Sequence, residues 1–200
     1  MRDFFIRFYR PDFYIHINQL QTEVNIMSIW DNEHPSGSEY AHYYANYVAQ
    51  VPKGNIIETL KAQMHEFYTF INSIPGDKAF YSYAEGKWTI KQIIGHLIET
   101  ERMFAYRAQA FSRRDRNPQP GMEQDDYVKY SNYNSRTISN LGNEYLAVRI
   151  ATIHLFQNMT KEMIDLKGTA SGVEFTVRSF PFIIAGHELH HVEVIKDKYL

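Results

Sequence analysis

Apolar positions recur at helical spacing in four stretches of the chain. In the first, Ile57, Leu60, Met64, Phe67 and Ile71 fall on one stripe, the repeat that an amphipathic helix leaves in a sequence. "GNIIETL" supplies its start, with Asn55 as N-cap and Glu58 placed three residues later to complete a capping box, and "SIPGD" supplies its stop. The second stretch follows "KWTIKQ", where Thr89 and Gln92 repeat the capping-box pattern; Ile90, Ile93, Leu97 and Phe104 mark its inner face to about Phe111. The third covers residues 139–159, with Leu141, Tyr145, Val148, Thr152, Leu155 and Phe156 inward and Gly142 a mild weakness, until "LKGTASGVEF" breaks it. The fourth begins between Thr176 and Phe180, because Pro181 is tolerated only in a first turn, and it runs to the end of the sequence.

Four helices of about 18 to 22 residues, joined mostly by short turns, predict an all-α, up-and-down four-helix bundle. No internal repeat is visible, and the alternation of a strand is confined to "VEFTV". Residues 112–136 break the pattern: "SRRDRNPQPGMEQDDYVKYSNYNSR" is too polar and turn-rich for a core element and longer than most loops in compact domains. Segments of that length are often functional.

Composition narrows the class. Two hundred residues suffice for one domain with a core, since chains of this size bury roughly 70% of their unfolded surface. A net charge of -2 with scattered Lys and Arg gives no basic field for nucleic acid. The chain has no cysteine, which removes disulfides, thiolate catalysis and cysteine-type zinc sites and leaves His, Asp and Glu as the strong metal ligands. No apolar run approaches the ~20 residues of a membrane span. Asp3, Arg7, Arg10 and Asp12 interrupt any signal-peptide core, so a cytoplasmic protein is expected.

The candidate chemistry lies in the last helix, in "AGHELHHVEVIKDKYL". At ~100° per residue, His187 and His191 lie about 40° and one turn apart, so their rings can reach one point. His190 lies about 60° to the other side. The arc beyond His191 carries Ile184, Ile195, Val192 and Leu189, whereas the arc beyond His190 carries Asp197 and Glu193. His187 and His191 are therefore expected to face the core and His190 to lean toward solvent. A third ligand is available in "IIGHLIETERMF", where His96 shares a stripe with Ile93, Thr100 and Met103. Gly95 and Gly186, beside two of these histidines, would let the second and fourth helices approach closely. Three imidazoles from two facing helices leave coordination positions open for water or substrate. His16, His34, His42, His65 and His154 have no partner at ligand spacing.

"KWTIKQIIGHLIETERMFAYRA", "PGMEQDDYV" and "IAGHELHHVEVIKDKYL" resemble the DinB / YfiT-like family over residues 39–200. The resemblance implies a four-helix bundle, often dimeric, whose divalent metal is held by His96, His187 and His191, with nickel and zinc the usual ions. It implies a metal-dependent hydrolase, or a transferase acting on a small-molecule substrate with a low-molecular-weight thiol such as bacillithiol or mycothiol. Residues 1–38 fall outside it. Met27 opens a segment that looks like a family start, so residues 1–26, with Phe4, Phe5, Phe8, Tyr9, Phe13 and Tyr14, read as an extension or as the product of an upstream start.

Residue by residue, the candidates for proton transfer or support of the metal are Glu99, Thr100 and Glu188; those for binding a carboxylate of substrate or thiol are Arg107 and Arg149. Trp88 and Tyr106 are candidates for the pocket mouth. Two alternatives stand beside the enzyme: a non-catalytic metal-binding stress protein, and an interaction module assembled through the tyrosines of "SEYAHYYANYV".

Overall fold

Asn55 caps the first long helix with its side chain, Oδ1 accepting from the backbone N–H groups of Ile57 and Glu58 at 2.9 and 3.3 Å. Glu58 does not reach back to complete a box; it pairs instead with Lys61 at 2.8 Å. The Thr89–Gln92 box does close in both directions, at 3.2 and 2.8 Å. The computed structural model describes residues 29–31 and 34–200. Expectations for residues 1–26 lie outside the described residues. Within the described part, Trp30 is buried edge-on against Phe156.

The elements are α1 (Ala45–Gln50), α2 (Ile56–Ser73), α3 (Ile90–Ser112), α4 (Gln124–Lys129), α5 (Ile138–Gln157), α6 (Lys161–Ile164), the antiparallel hairpin β1 (Lys167–Ala170) and β2 (Val173–Thr176), and α7 (Ser179–Lys198). The long helices α2, α3, α5 and α7 form the four-helix bundle that the periodicity predicts. Pro181 stands in the first turn of α7, as its missing N–H requires. Among the described residues, no helix is long and apolar enough to cross a membrane.

The connectivity is specific. α2 packs on α5 and α7, and α3 packs on the same two, so α2 and α3 face each other across the diagonal. α2 and α5 run antiparallel: Arg149 Nη1 donates to Leu60 O, and Tyr68 OH to Asn143. α3 and α7 are also antiparallel, with Tyr199 bonded to Trp88 O at one end and Phe104 against Phe180 at the other. But α3 and α5 run parallel, Thr89 meeting Asn134 and Glu101 meeting Arg149. The directions are thus up, down, down, up rather than strict alternation. Parallel neighbours require the chain to return along the bundle, ~34 Å for a helix of α3's length, and residues 113–137, which include α4, make that crossover. The long polar segment is therefore a topological necessity.

The core has two apolar halves. One gathers Leu60, Phe104, Phe111, Phe156 and Phe180 with the hairpin's Phe175. The other gathers Phe67, Ile94, Leu141, Tyr145 and Ile195. Between them all four helices turn polar at one level: Gln63, Thr100, Glu101, Arg149, Thr152, His187 and Glu188 are all buried. A buried polar layer must find partners within itself.

Candidate metal centre and cleft

His96, in the second turn of α3, meets His187 and His191, one turn apart on the antiparallel α7. The Nε2 atoms of His96 and His191 lie 3.2 and 3.0 Å from Nε2 of His187. The ligand atoms of all three fall within 4.8 Å of one another, which makes them a group able to hold a metal ion. Imidazole–metal distances of about 2.0–2.1 Å place neighbouring ligand nitrogens roughly 3.0–3.4 Å apart, so the two measured separations suit a shared cation. His96 and His187 are buried and His191 is half-buried. The sequence trio is brought together; His190, half-buried against the Tyr47 ring, stands outside it.

Electrostatics leaves the rings neutral. Burial pushes His96 down to about 4 and, with repulsion from His96 and His190, His191 down to about 3. His187 is lowered too, by burial first and then by His191 and His96. Neutral imidazoles keep the lone pairs that a cation needs. Thr100 sets the tautomer of His187: its hydroxyl donates to His96 O at 2.8 Å and so presents a lone pair to Nδ1 of His187, 3.4 Å away. With the proton on Nδ1, Nε2 of His187 faces the centre unprotonated.

The acidic candidates lie elsewhere. Glu188 turns into the bundle, where Oε2 accepts from Tyr145 OH and from Arg149 Nη2, both at 2.7 Å, and burial raises it to about 7. Glu99 lies beside Tyr133 of the crossover, whose hydroxyl burial and then Glu99 push up in pKa. Arg149 is consumed in the core: besides Glu188 it grips Glu101 through Nε and Nη2 at 2.9 and 2.8 Å, so it has no free edge for a ligand. The glycines also serve other neighbours. A Cβ on Gly186 would lie 2.0 Å from Tyr47 O, and one on Gly95 would lie 2.4 Å from the Tyr133 ring. They admit α1 and the crossover, not α3 to α7.

Beside the trio lies a cleft open to solvent, with about 460 Å³ of empty space. His96, Thr100 and His187 form one end; Met103, Phe104 and Arg107 continue along α3; Tyr44 and Tyr47 form a wall, and Met122 and Gln124 of the crossover close it. The tyrosines of "SEYAHYYANYV" therefore serve chiefly inward. Tyr44 packs edge-on against Phe104, Tyr47 covers His187, and Tyr43 stays 68% exposed. Trp88 packs on His96 and Tyr106 points to solvent, neither lining the cleft. Tyr47 and Met122 escaped the sequence reading. Their signals were the crowded aromatics before the first helix and a methionine inside a polar loop.

The DinB superfamily model matches residues 59–195, a span that contains all three histidines. Among solved structures, the chain is similar to YfiT from Bacillus subtilis, described as a probable metal-dependent hydrolase with an unusual four-helix bundle topology. The match has a TM-score of 0.62 at 13% identity and covers 87% of this chain and 95% of that one. That likeness is one of fold. No curated protein matches the sequence.

Proposed function

This chain belongs to the DinB superfamily, and from that premise we propose that it is a metal-dependent hydrolase of a small-molecule substrate, with a divalent transition metal, zinc or nickel, held by His96, His187 and His191. The observation that carries the reading is the convergence of three neutral imidazoles beside a cleft that two of them, His96 and His187, help to line. When bound, such a cation supplies Lewis acidity, polarising a carbonyl and lowering the pKa of a water or thiol toward neutrality. The chain's own groups do the rest. Thr100 holds His187 in its binding tautomer, Tyr47 and Trp88 pack on the faces of His187 and His96, and the aromatic wall orders what enters. The similarity to YfiT supports hydrolysis.

A second reading, transfer to a low-molecular-weight thiol, is favoured by Met103 and Met122 along the cleft, polarisable surfaces suited to sulfur. On either reading we expect a cytoplasmic homodimer. The test is an assay of zinc- and nickel-reconstituted protein against carboxylic esters and amides, with and without thiols, beside His96→Ala. Metal-dependent turnover lost in His96→Ala supports the proposal. Protein that retains no metal after reconstitution contradicts it.

A further inference from the structure

Among the described residues two arginines are buried in the bundle, and their surroundings differ in kind. Arg149 is neutralised by Glu101 and Glu188. Arg107 is 2% exposed and forms no ion pair among the described residues. Its Nη2 donates to Pro120 O at 2.5 Å and to Ser171 Oγ at 3.4 Å; Nε and Nη1 have no partner among the described residues. Among the described residues, no carboxylate lines the cleft it faces. Burial lowers its pKa, and the largest opposing influence is the phenol of Tyr44. A buried cation without a counter-charge is costly to keep unless a ligand supplies one.

We propose that Arg107 is the anion-recognition residue of the cleft, and that its ligand carries a carboxylate at one end and the reacting group at the other. This rests on the metal-dependent reading of the same cleft. Arg107 lies three turns beyond His96 on α3, ~16 Å of rise, so carboxylate and reacting group stand well apart on an elongated ligand. Met103, Phe104 and Met122 lie between and favour an apolar middle. Nη1–H and Nε–H, the donors that Pro120 and Ser171 leave open, suit a charge-assisted hydrogen bond to a carboxylate oxygen. The guanidinium is held in advance through Nη2. Ser171 and Gly172, both at positive φ (52° and 77°), form the two-residue turn of the hairpin, and Ser171 N bonds to Gln119 O beside Pro120.

The test is calorimetric binding of phenylbutyrate and its neutral amide, phenylbutyramide, to the full chain, both zinc-loaded and EDTA-treated. The carboxylate is expected to bind about tenfold or more tightly than the amide in both forms. Arg107→Met should erase the preference, and Arg107→Lys, which keeps the charge but not the planar guanidinium, should retain part of it. Persistence after EDTA treatment separates this subsite from the metal: it survives even if the catalytic reading fails. N-acetylcysteine and its amide supply a second pair. Arg107-dependent preference in that pair alone places the carboxylate on a thiol co-substrate; in the phenylbutyrate pair alone, on the molecule cleaved. Equal binding of acid and amide to the wild type in both pairs overturns the proposal without any variant. So does a preference that survives Arg107→Met, or one that appears only with zinc.

Discussion

Arg149 Nη2 lies 2.7 Å from Oε2 of Glu188, at the centre of the bundle and one residue along α7 from His187. Consecutive residues thus serve two sites, because successive side chains leave a helix ~100° apart. His187 faces α3 and the cleft, while Glu188 faces α5 and binds a guanidinium that Glu101 of α3 also grips. The ion cluster backs the histidine layer, and Thr100 and His187 share a small cavity with Glu101, Arg149 and Glu188.

Arg149→Met should be strongly destabilising, by about 3–5 kcal/mol, because it strands two buried carboxylates. Arg107→Met orphans no acid and should cost less, although both arginines are nearly fully buried. Urea denaturation of the two variants checks the contrast. Equal losses would mean that the Arg149 cluster is not the closed ion network described.

Thr100→Val keeps the shape and removes the oxygen 3.4 Å from His187 Nδ1. Loss of such a support typically weakens metal affinity by about 10–100-fold. Competition with a chromophoric chelator measures it. Thr100→Ser should stay close to wild type, and a valine variant that binds as tightly would remove Thr100 from the site.

The metal-free protein should lose stability on acidification. His96 and His191 are held at about 4 and 3, below the ordinary 6.5, and His187 is lowered as well. Below 6.5 the unfolded chain takes up protons that the folded chain refuses. The stabilisation is therefore complete above 6.5 and falls toward 4, at about 1.4 kcal/mol per pH unit for each proton. Glu188 opposes this: raised from 4.5 to about 7, it favours the fold at low pH and loses that contribution as pH rises through 7. Three groups against one decide the sign. Urea midpoints of EDTA-treated protein should fall below pH 6.5, and less steeply in His191→Ala.

Gly186→Ala places a methyl 2.0 Å from the backbone oxygen of Tyr47, where no side-chain rotation relieves it. A loss beyond about 1–3 kcal/mol is expected, with Tyr47 displaced from His187. Gly121→Ala meets only Ser171 Oγ at 3.5 Å and should melt like the wild type. Thermal melts of both provide the comparison.

What the sequence displayed was local. Asn55, Thr89 and Pro181 mark helix starts because capping and proline geometry act within one turn, and the His187/His191 pair is visible because i,i+4 spacing alone joins the rings. Helix order was hidden: a stripe says which face is inside, not which helix it meets. Arg149 shows the limit. The period puts Val148 inward beside it, yet Val148 is only half-buried and Arg149 is fully buried, since its partners arrive from two other helices. Tyr47 sits in a helix of six residues, too short for a period to emerge. A subtler signal did exist: Gln63, Glu101, Arg149 and Glu188 interrupt the apolar pattern at one level of the bundle.

The return run from α3 to α5 divides the labour of the molecule. The histidines ride on two rigid helices, whereas Pro120, Met122 and Gln124, which steady Arg107 and shape the cleft, come from the strap that the parallel arrangement obliges the chain to make. Grafting a different strap onto the same scaffold would re-address the chemistry to new molecules while the cation cradle stayed untouched.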